Sequence, residues 1–160
     1  MKGFGFYISV LTIALLTGGC FEQIPEPQTV AIEHGEAIWQ TDFNAAQKQA
    51  AAENKHVLVD FSGSDWCGWC IKLHKEVFSK EDFISYADEN LVLVSVDFPN
   101  STPQSAEQKA ANKALAERYG IRGFPTVLIL NPPGEVVKRT GYQQGGPGPY
   151  VEMIKNAIAN

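Results

Sequence analysis

The chain has 160 residues, of which 44% are hydrophobic and 19% are charged, and its net charge is −5. This length suits one globular domain with a short additional segment, and the composition is not that of a disordered, collagen-like or coiled-coil chain. Acidic and basic residues are interspersed without a run of Lys or Arg, so we do not expect the protein to bind nucleic acid.

The first nineteen residues have the pattern of a secretory signal. Lys2 provides the positive start, residues 8–16 form the most apolar stretch, and small residues lead into Cys20. A membrane-spanning helix needs about 20 apolar residues, and this stretch is shorter. We therefore predict a signal peptide over residues 1–19.

The small residues before Cys20 resemble the lipobox of bacterial lipoproteins, in which the cysteine becomes the first mature residue and carries lipid. Gly19 and Cys20 match that pattern, whereas Thr17 stands where a leucine is usual. The resemblance implies that Cys20 is lipidated, and the alternative is a plain signal peptide with an incidental cysteine. Residues 20–36, which include two prolines, are predicted to be a lipid-anchored linker.

Apolar periodicity and breaker residues predict alternating helices and strands in the rest of the chain. In chain order, we expect a short strand or turn over 31–39, a helix over 42–54, a strand over 56–61, helices over 67–78 and 79–89, a strand over 91–98, a helix over 105–119, strands over 126–130 and 136–142, and a helix over 150–159.

Polar residues at the expected helix starts support these bounds. Thr41 or Asp42 is expected to cap the first helix, and Ser79 and Ser105 each have the spacing of a capping box. Strands connected through helices pair in parallel, whereas the Pro-Pro-Gly turn at 132–134 makes the last two strands an antiparallel hairpin. We predict an α/β fold with a central mixed sheet of four to five strands, flanked by helices on both faces.

Cys67 and Cys70 are separated by two residues, and they stand where a buried strand and a short loop lead into a helix. The third cysteine lies in the N-terminal segment, so a scaffold stapled by several disulfides is excluded. At a helix start, unpaired backbone N–H groups and the helix dipole stabilise a thiolate, which is the reactive form of cysteine. We expect Cys67 to be the attacking thiol and Cys70, one turn further in, to resolve the mixed disulfide.

Metal binding and a purely structural disulfide are alternatives for this cysteine pair. A zinc or copper site needs further ligands, and His74, four residues after Cys70 on the same helical face, could supply one. A c-type haem needs a histidine directly after the second cysteine, where Ile71 stands. A disulfide that closes so small a loop adds little stability. Thiol–disulfide exchange is therefore the favoured interpretation.

A second motif, Tyr119–Thr126, resembles the segment of the thioredoxin superfamily that carries a cis-proline facing the active-site disulfide. Further likeness lies in residues 59–61 (Val-Asp-Phe), in Trp66 before the first cysteine, and in residues 134–136. The resemblance covers about residues 37–160 and implies a thioredoxin fold over that range. It is closer to secreted bacterial thioredoxin-like proteins and to the periplasmic reductase domains of membrane disulfide-interchange proteins.

The resemblance implies roles for residues around the cysteines. Pro125 would be cis, and the backbone of Phe124 would pair with an extended client segment. Asp60 would be the buried acid beneath the disulfide, with a raised pKa, and would relay a proton to or from Cys70. Asp65 is a second candidate acid, for which a solvated loop residue is the favoured interpretation.

Two tryptophans flank the first cysteine. Trp66 is expected to pack against the domain beside the site. Trp69 is expected to be partly exposed and to shape contacts with partners, and the alternative is that it packs against the 62–65 loop. Lys72 and His74 are interpreted as ordinary helix residues.

These observations predict a thiol–disulfide oxidoreductase of the bacterial cell envelope that reduces disulfides of client proteins. We expect no cofactor beyond the Cys67–Cys70 disulfide, no resident metal, and a monomer by default. A membrane electron donor of the disulfide-interchange type would re-reduce the protein, and the lipid on Cys20 would attach it to a membrane. The alternatives are a module that delivers copper or zinc and a scaffold that only docks partners.

Overall fold

The structure is a computed structural model, and it describes residues 36–159 of the chain. The predicted signal peptide, the lipidation site at Cys20 and the linker up to residue 35 lie outside the described residues. All described residues belong to one unit of the chain. Among them, no helix is long and apolar enough to cross a membrane.

The described residues form five strands and five α-helices. The strands are β1 (Trp39–Gln40), β2 (His56–Ser62), β3 (Leu91–Asp97), β4 (Thr126–Leu130) and β5 (Val136–Thr140). The helices are α1 (Phe43–Glu53), α2 (Gly68–Leu73), α3 (Glu81–Asn90), α4 (Ala106–Arg118) and α5 (Pro147–Ile158), and a π-helical turn (His74–Phe78) continues α2. Of the predicted strand or turn over 31–39, only the end is described, and β1 begins there.

The strands form one mixed sheet in the order β1-β3-β2-β4-β5. Strand β3 pairs in parallel with β1 and β2, whereas β4 pairs antiparallel with β2 and β5. The β4–β5 pair is the predicted hairpin. Because β2, β3 and β5 all run in the same direction, their carboxyl ends meet at one edge of the sheet, together with the start of β4. The predicted α/β thioredoxin fold is confirmed.

The alternation of side chains along β2 distributes the core over both faces of the sheet. Leu58 packs on the face covered by α2, α3 and α5, whereas Val57 and Val59 pack on the face covered by α1 and α4. All three side chains are fully buried. The same two-residue period puts Asp60 on the face of Leu58, so its carboxyl lies on the side of the sheet that α2 covers.

Helices α1 and α4 begin as predicted, because a side chain caps each of them. Asp42, rather than Thr41, caps α1, and its Oδ1 accepts two backbone N–H groups at 2.9 and 3.0 Å. Ser105 caps α4, and its Oγ accepts the backbone N–H of Gln108 at 3.1 Å. Both contacts satisfy N–H groups that have no partner within the first helical turn.

The predicted helix start at Ser79 is wrong by two residues. The π-helical turn extends through Phe78, and the Ser79 hydroxyl donates to the carbonyl oxygen of Lys75 over 3.1 Å instead of capping the next helix. Helix α3 therefore begins at Glu81, preceded by Lys80 in an extended conformation.

The predicted bounds of the last strand and helix are also wrong. Strand β5 ends at Thr140, two residues earlier than predicted, and at Gly141 the chain passes very close to Pro125. A Cβ atom at Gly141 would lie 2.8 Å from the carbonyl oxygen of Pro125, so only glycine fits there without a shift. Helix α5 begins at Pro147, three residues earlier than predicted, because proline needs no N–H partner in a first helical turn.

Candidate active site

The two cysteines of the Cys-Gly-Trp-Cys motif form a disulfide at the start of α2. The loop that follows β2 leads into Cys67, which is the N-cap residue of the helix. Its Sγ accepts the backbone N–H of Cys70 over 3.3 Å. The predicted order of buried strand, short loop and helix start is confirmed.

Exposure alone does not distinguish the two cysteines, since Cys67 is 7% and Cys70 4% exposed. The hydrogen bond does distinguish them, because the helix directs a backbone N–H at the sulfur of Cys67. Once the disulfide is reduced, the same donor and the helix dipole favour a negative charge on that sulfur. The arrangement therefore suits Cys67 for attack on a disulfide.

The peptide bond between Phe124 and Pro125 is cis, as predicted. The ring of Phe124 contacts that of Trp66, the residue directly before Cys67, with ring centroids 5.9 Å apart. This contact brings the cis-proline segment and the cysteine motif together, although they are far apart in the sequence. A shallow groove of about 440 Å³ runs along the cis-proline segment as far as Thr126.

Asp60 lies beneath the site, beside a cleft of about 470 Å³. Cys70, His74 and Ser95 also line this cleft. The residue as a whole is partly exposed to the cleft, but its Oδ1 atom is buried and finds no hydrogen-bond partner in residues 36–159. Burial, and to a smaller extent the negative charge of Asp97, raises the pKa of Asp60 to about 7. The predicted rise in pKa is confirmed, and the proton relay remains a prediction.

Tyr150 is a neighbour of Asp60 that the sequence did not indicate. It is a buried residue of α5, and its hydroxyl donates to the carbonyl oxygen of Gly141 over 3.2 Å. Burial, and to a smaller extent the charge of Asp60, raises the pKa of Tyr150 above its ordinary range. Its hydroxyl therefore stays protonated. The apolar pattern of α5 marks Tyr150 as a core residue, but it carries no information on this neighbour.

Asp65 is an exposed loop residue, which confirms the favoured interpretation, and the alternative of a catalytic acid gains no support. Its carboxylate accepts the backbone N–H groups of Asn100, Ser101 and Thr102 at 2.8, 2.6 and 3.2 Å. These hydrogen bonds, those from Asn100 and Ser101 above all, hold the pKa of Asp65 below its ordinary value, so the group has no proton to give at neutral pH. Asp65 is an exposed loop residue with a structural task, which is to tie its loop to the segment after β3.

A second carboxylate fixes the same loop. Asp97, the last residue of β3, accepts the backbone N–H of Ser64 at 2.9 Å and the hydroxyl of Ser64 at 2.6 Å. Within this loop, the indole ring of Trp66 lies so close to Gly63 that a Cβ there would be 2.5 Å away, and its Nε1 donates to the carbonyl oxygen of Phe98 over 2.8 Å. Trp66 packs beside the site, as predicted.

Trp69 is 58% exposed, which confirms the prediction that it is partly exposed. Its ring packs against that of Tyr142 with centroids 5.1 Å apart, whereas the loop over 62–65 receives Trp66. The Lys72 ammonium lies over both rings, 5.2 Å from the centroid of Trp69 and 5.0 Å from that of Tyr142. Lys72 therefore lies on the surface beside the cysteines.

The metal alternative gains no support from the arrangement of side chains. Among residues 36–159, no three His, Cys, Asp or Glu side chains come together in a way that could hold a metal ion. His74 lines the cleft beside Cys70. His56 lies at the start of β2, at the far end of the strand from the cysteines, and burial lowers its pKa.

The site combines a disulfide at a helix start, a cis-proline and a buried carboxyl on a mixed sheet with helices on both faces. These features define the class of thiol–disulfide oxidoreductases with a thioredoxin fold, in which electrons pass between pairs of sulfur atoms.

Comparison with known proteins leads to the same class. The family described as "Thioredoxin-like domain" matches residues 43–146. The "Disulfide bond reductase DsbH" of Chlamydia pneumoniae is 32% identical over 131 residues, which span 82% of this chain and 78% of that relative. A solved structure of "DsbH Oxidoreductase" aligns with a TM-score of 0.77 at 32% identity, covering 82% of this chain and 91% of that one.

A further relative matches through a small part of its length. The "Thiol:disulfide interchange protein DsbD" of Haemophilus influenzae is 27% identical over 150 residues, which span 86% of this chain but 24% of that protein. The chain belongs to the thioredoxin-like family and is a thiol–disulfide oxidoreductase.

Proposed function

We propose that this protein reduces disulfide bonds of client proteins in the bacterial cell envelope. The observation that carries the proposal is the 3.3 Å hydrogen bond from the Cys70 N–H to the Cys67 sulfur at the start of α2. It supports Cys67 as the nucleophile. The similarity to DsbH, a disulfide bond reductase, supports the direction in which the electrons flow.

Reduction of a client proceeds through two exchange steps. The Cys67 thiolate attacks one sulfur of the client disulfide, so a bond forms between Cys67 and the client, and the other client sulfur leaves as a thiolate. Cys70 then loses its proton and attacks the Cys67 sulfur. The Cys67–Cys70 disulfide forms, and the second client sulfur also leaves as a thiolate. Both client thiolates take up protons from water, and two electrons have passed from the protein to the client without a further cofactor.

Asp60 accepts the proton that Cys70 loses in the second step. Both residues line the same cleft, which gives the carboxyl a route to water on the side of His74. A carboxyl with a pKa of about 7 can take up and release a proton near neutral pH, as a general base requires.

The client segment binds across the cis-proline segment in an extended conformation. The backbone of Phe124 pairs with it by strand addition, and Pro125 faces the disulfide. Trp66 and Trp69, which are 47% and 58% exposed, contact the client on the two sides of the cysteines. A shallow groove beside Pro125 supports this path for the client chain.

The protein works on the extracytoplasmic side of a membrane, attached through lipid on Cys20. The signal-like residues 1–19 and the small residues before Cys20 support this location. A membrane electron donor of the thiol:disulfide interchange type, like the DsbD relative, re-reduces the Cys67–Cys70 disulfide. Mass spectrometry of the mature protein tests the anchor, and a Cys20 without a diacylglyceryl mass increase would disprove it.

Trapping of mixed disulfides tests the catalytic proposal. In a Cys70→Ala variant the second step is blocked, so we expect covalent adducts between Cys67 and client proteins in cells. The adducts should disappear on reduction with dithiothreitol, and a Cys67→Ser/Cys70→Ala double variant is the matched control that should form none. An absence of adducts in Cys70→Ala, or wild-type activity in Cys67→Ser, would contradict the proposal.

A further inference from the structure

Four side chains beside the cysteines form a connected cluster on the surface, which we call the Trp69 cluster: Trp69, Lys72, Glu76 and Tyr142. The Tyr142 hydroxyl donates to Glu76 Oε2 over 2.6 Å, and the Lys72 ammonium lies 3.8 Å from the other oxygen of that carboxylate. Lys72 also lies over the rings of Trp69 and Tyr142. Each member of the cluster thus contacts at least two others.

The cluster joins two separate parts of the fold. Trp69, Lys72 and Glu76 follow each other at helical spacing along α2 and the π-helical turn, so their side chains share one face. Tyr142 comes from the segment after β5, at the edge of the sheet where β2, the strand that leads to the cysteines, also ends. The Tyr142–Glu76 hydrogen bond links these two parts, so the exposed Trp69 ring rests on a fixed support.

A different aromatic group lies on the other side of the cysteines. Trp66 packs against Phe124, and Phe124 stacks on Phe98 with ring centroids 5.2 Å apart. Phe98 follows β3 and Tyr142 follows β5, and these strands lie on opposite sides of β2 in the sheet. The cysteines, which follow β2 at the start of α2, are therefore bordered by aromatic rings on both sides.

We infer that Tyr142 and Glu76 are positioning residues that hold the ring of Trp69 beside the cysteines. The rings of Trp66, Phe124 and Phe98 form one aromatic wall of the client site, and Trp69 forms the second wall, which selects clients with an aromatic side chain next to the reactive cysteine. The inference rests on the proposed function, because it concerns the same site. The inference adds a preference of the protein for certain client sequences, which thiol–disulfide exchange alone does not require.

The charges of the cluster favour an aromatic client residue over a basic one. Aromatic faces attract cations, but the Lys72 ammonium already lies over both rings. A client Lys or Arg would be repelled by Lys72, whereas a client Phe or Tyr can stack on the free part of the Trp69 ring. Glu76 offsets part of the charge of Lys72, so the cluster attracts an acidic client residue only weakly.

The test uses peptide disulfides that differ only in the residue beside the cysteine, which is Phe, Ser or Lys. For the full-length wild-type protein we expect the KM for the Phe peptide to be about 3- to 10-fold lower than for the Ser peptide, with similar kcat, and the Lys peptide to be no better than Ser. In Tyr142→Ala the Phe preference should fall towards one. Tyr142→Phe, which keeps the ring but loses the bond to Glu76, should show a smaller fall in the same direction.

Controls separate this inference from the proposed function. Val137→Ala changes an exposed residue of β5 away from the cysteines and should keep the wild-type preference. If the wild type reduces neither the peptides nor hydroxyethyl disulfide, the proposed function fails. If it reduces all three peptides equally well, or if both Tyr142 variants keep the full Phe preference, the reductase stands and the second wall is wrong. Should Tyr142→Ala not fold, Tyr142→Phe decides the question.

Discussion

At the scale of single residues, Asp60 is a carboxyl whose environment differs strongly from water, since burial raises its pKa. Its Oδ1 atom is buried without a hydrogen-bond partner in the described part of the chain, and the nearby Asp97 adds negative charge. A carboxyl that is this poorly stabilised when ionised costs folding free energy. Such a cost is common where a residue serves chemistry rather than stability.

The raised pKa of Asp60 predicts how stability depends on pH. The folded protein holds this proton with a pKa of about 7, whereas an unfolded Asp releases it at about 3.9. The associated stability is therefore fully present below pH 4 and is lost as pH rises through 7, by up to about 4 kcal/mol. Asp60→Asn should be more stable than the wild type at pH 8 and similar at pH 4, as measured by urea unfolding of the oxidised protein.

Asp65→Asn is the matched control for this experiment. Hydrogen bonds lower the pKa of Asp65, so its contribution has the opposite sign: it is present at neutral pH and is lost as pH falls through the lowered pKa. The Asn variant should thus be less stable than the wild type at pH 8. An Asp60→Asn protein that is also less stable than the wild type at pH 8 would contradict our account of Asp60.

The residues of the site differ in how far the sequence could indicate them. Cys67 and Cys70 stand out through their spacing at a strand–helix junction, and Asp60 and Pro125 through a resemblance to a family. No pattern in the sequence indicates that Asp97 raises the pKa of Asp60, because Asp97 lies on the neighbouring strand β3. Contacts between residues that are distant in the sequence leave no local pattern to detect.

At the scale of elements, the loop between β2 and α2 is held by two carboxylates rather than by apolar packing alone. Asp65 binds backbone N–H groups of the segment after β3, and Asp97 at the end of β3 binds Ser64. Each of the two segments supplies one carboxylate, since Asp65 belongs to the loop and Asp97 belongs to β3. Together they fix the backbone that leads into Cys67.

Removing one of these contacts should loosen the loop and leave the sheet intact. Ser64→Ala deletes the hydroxyl that lies 2.6 Å from Asp97 and should lower the free energy of unfolding by about 1 kcal/mol. Amide hydrogen exchange should become faster in residues 63–66 but not in β2. Ser101→Ala is the control, because Ser101 contributes its backbone N–H, which the substitution keeps. If amide hydrogen exchange in residues 63–66 is the same in Ser64→Ala as in the wild type, the contact between Ser64 and Asp97 does not hold the loop.

The strands and capped helices could be predicted from the sequence because their signals are local. The apolar run of β2 and the caps Asp42 and Ser105 each lie within a few residues of the element they define. The π-helical turn after α2 could not be predicted, since its hydrogen bonds do not alter the apolar pattern. The Ser79 hydroxyl, which the spacing assigned to a helix cap, is used inside that turn instead.

At the scale of the whole molecule, the direction of the sheet strands brings the site together. The ends of β2, β3 and β5 and the start of β4 meet at one edge, and these contribute the cysteines, Phe98, Tyr142 and the cis-proline segment. The order of elements predicts this edge, but the side chains that meet there are known only from the folded chain. Fold and chemistry therefore depend on the same topology.

The reduction potential of the Cys67–Cys70 pair tests the central claim most directly. The full-length protein is equilibrated with dithiol buffers of known potential, and the fraction of reduced thiols is measured. A reductase of client disulfides should show one reversible two-electron couple near the value of thioredoxin, about −270 mV. A couple near −120 mV would mean that the protein donates its disulfide to clients, and the absence of any reversible couple would contradict thiol–disulfide exchange altogether.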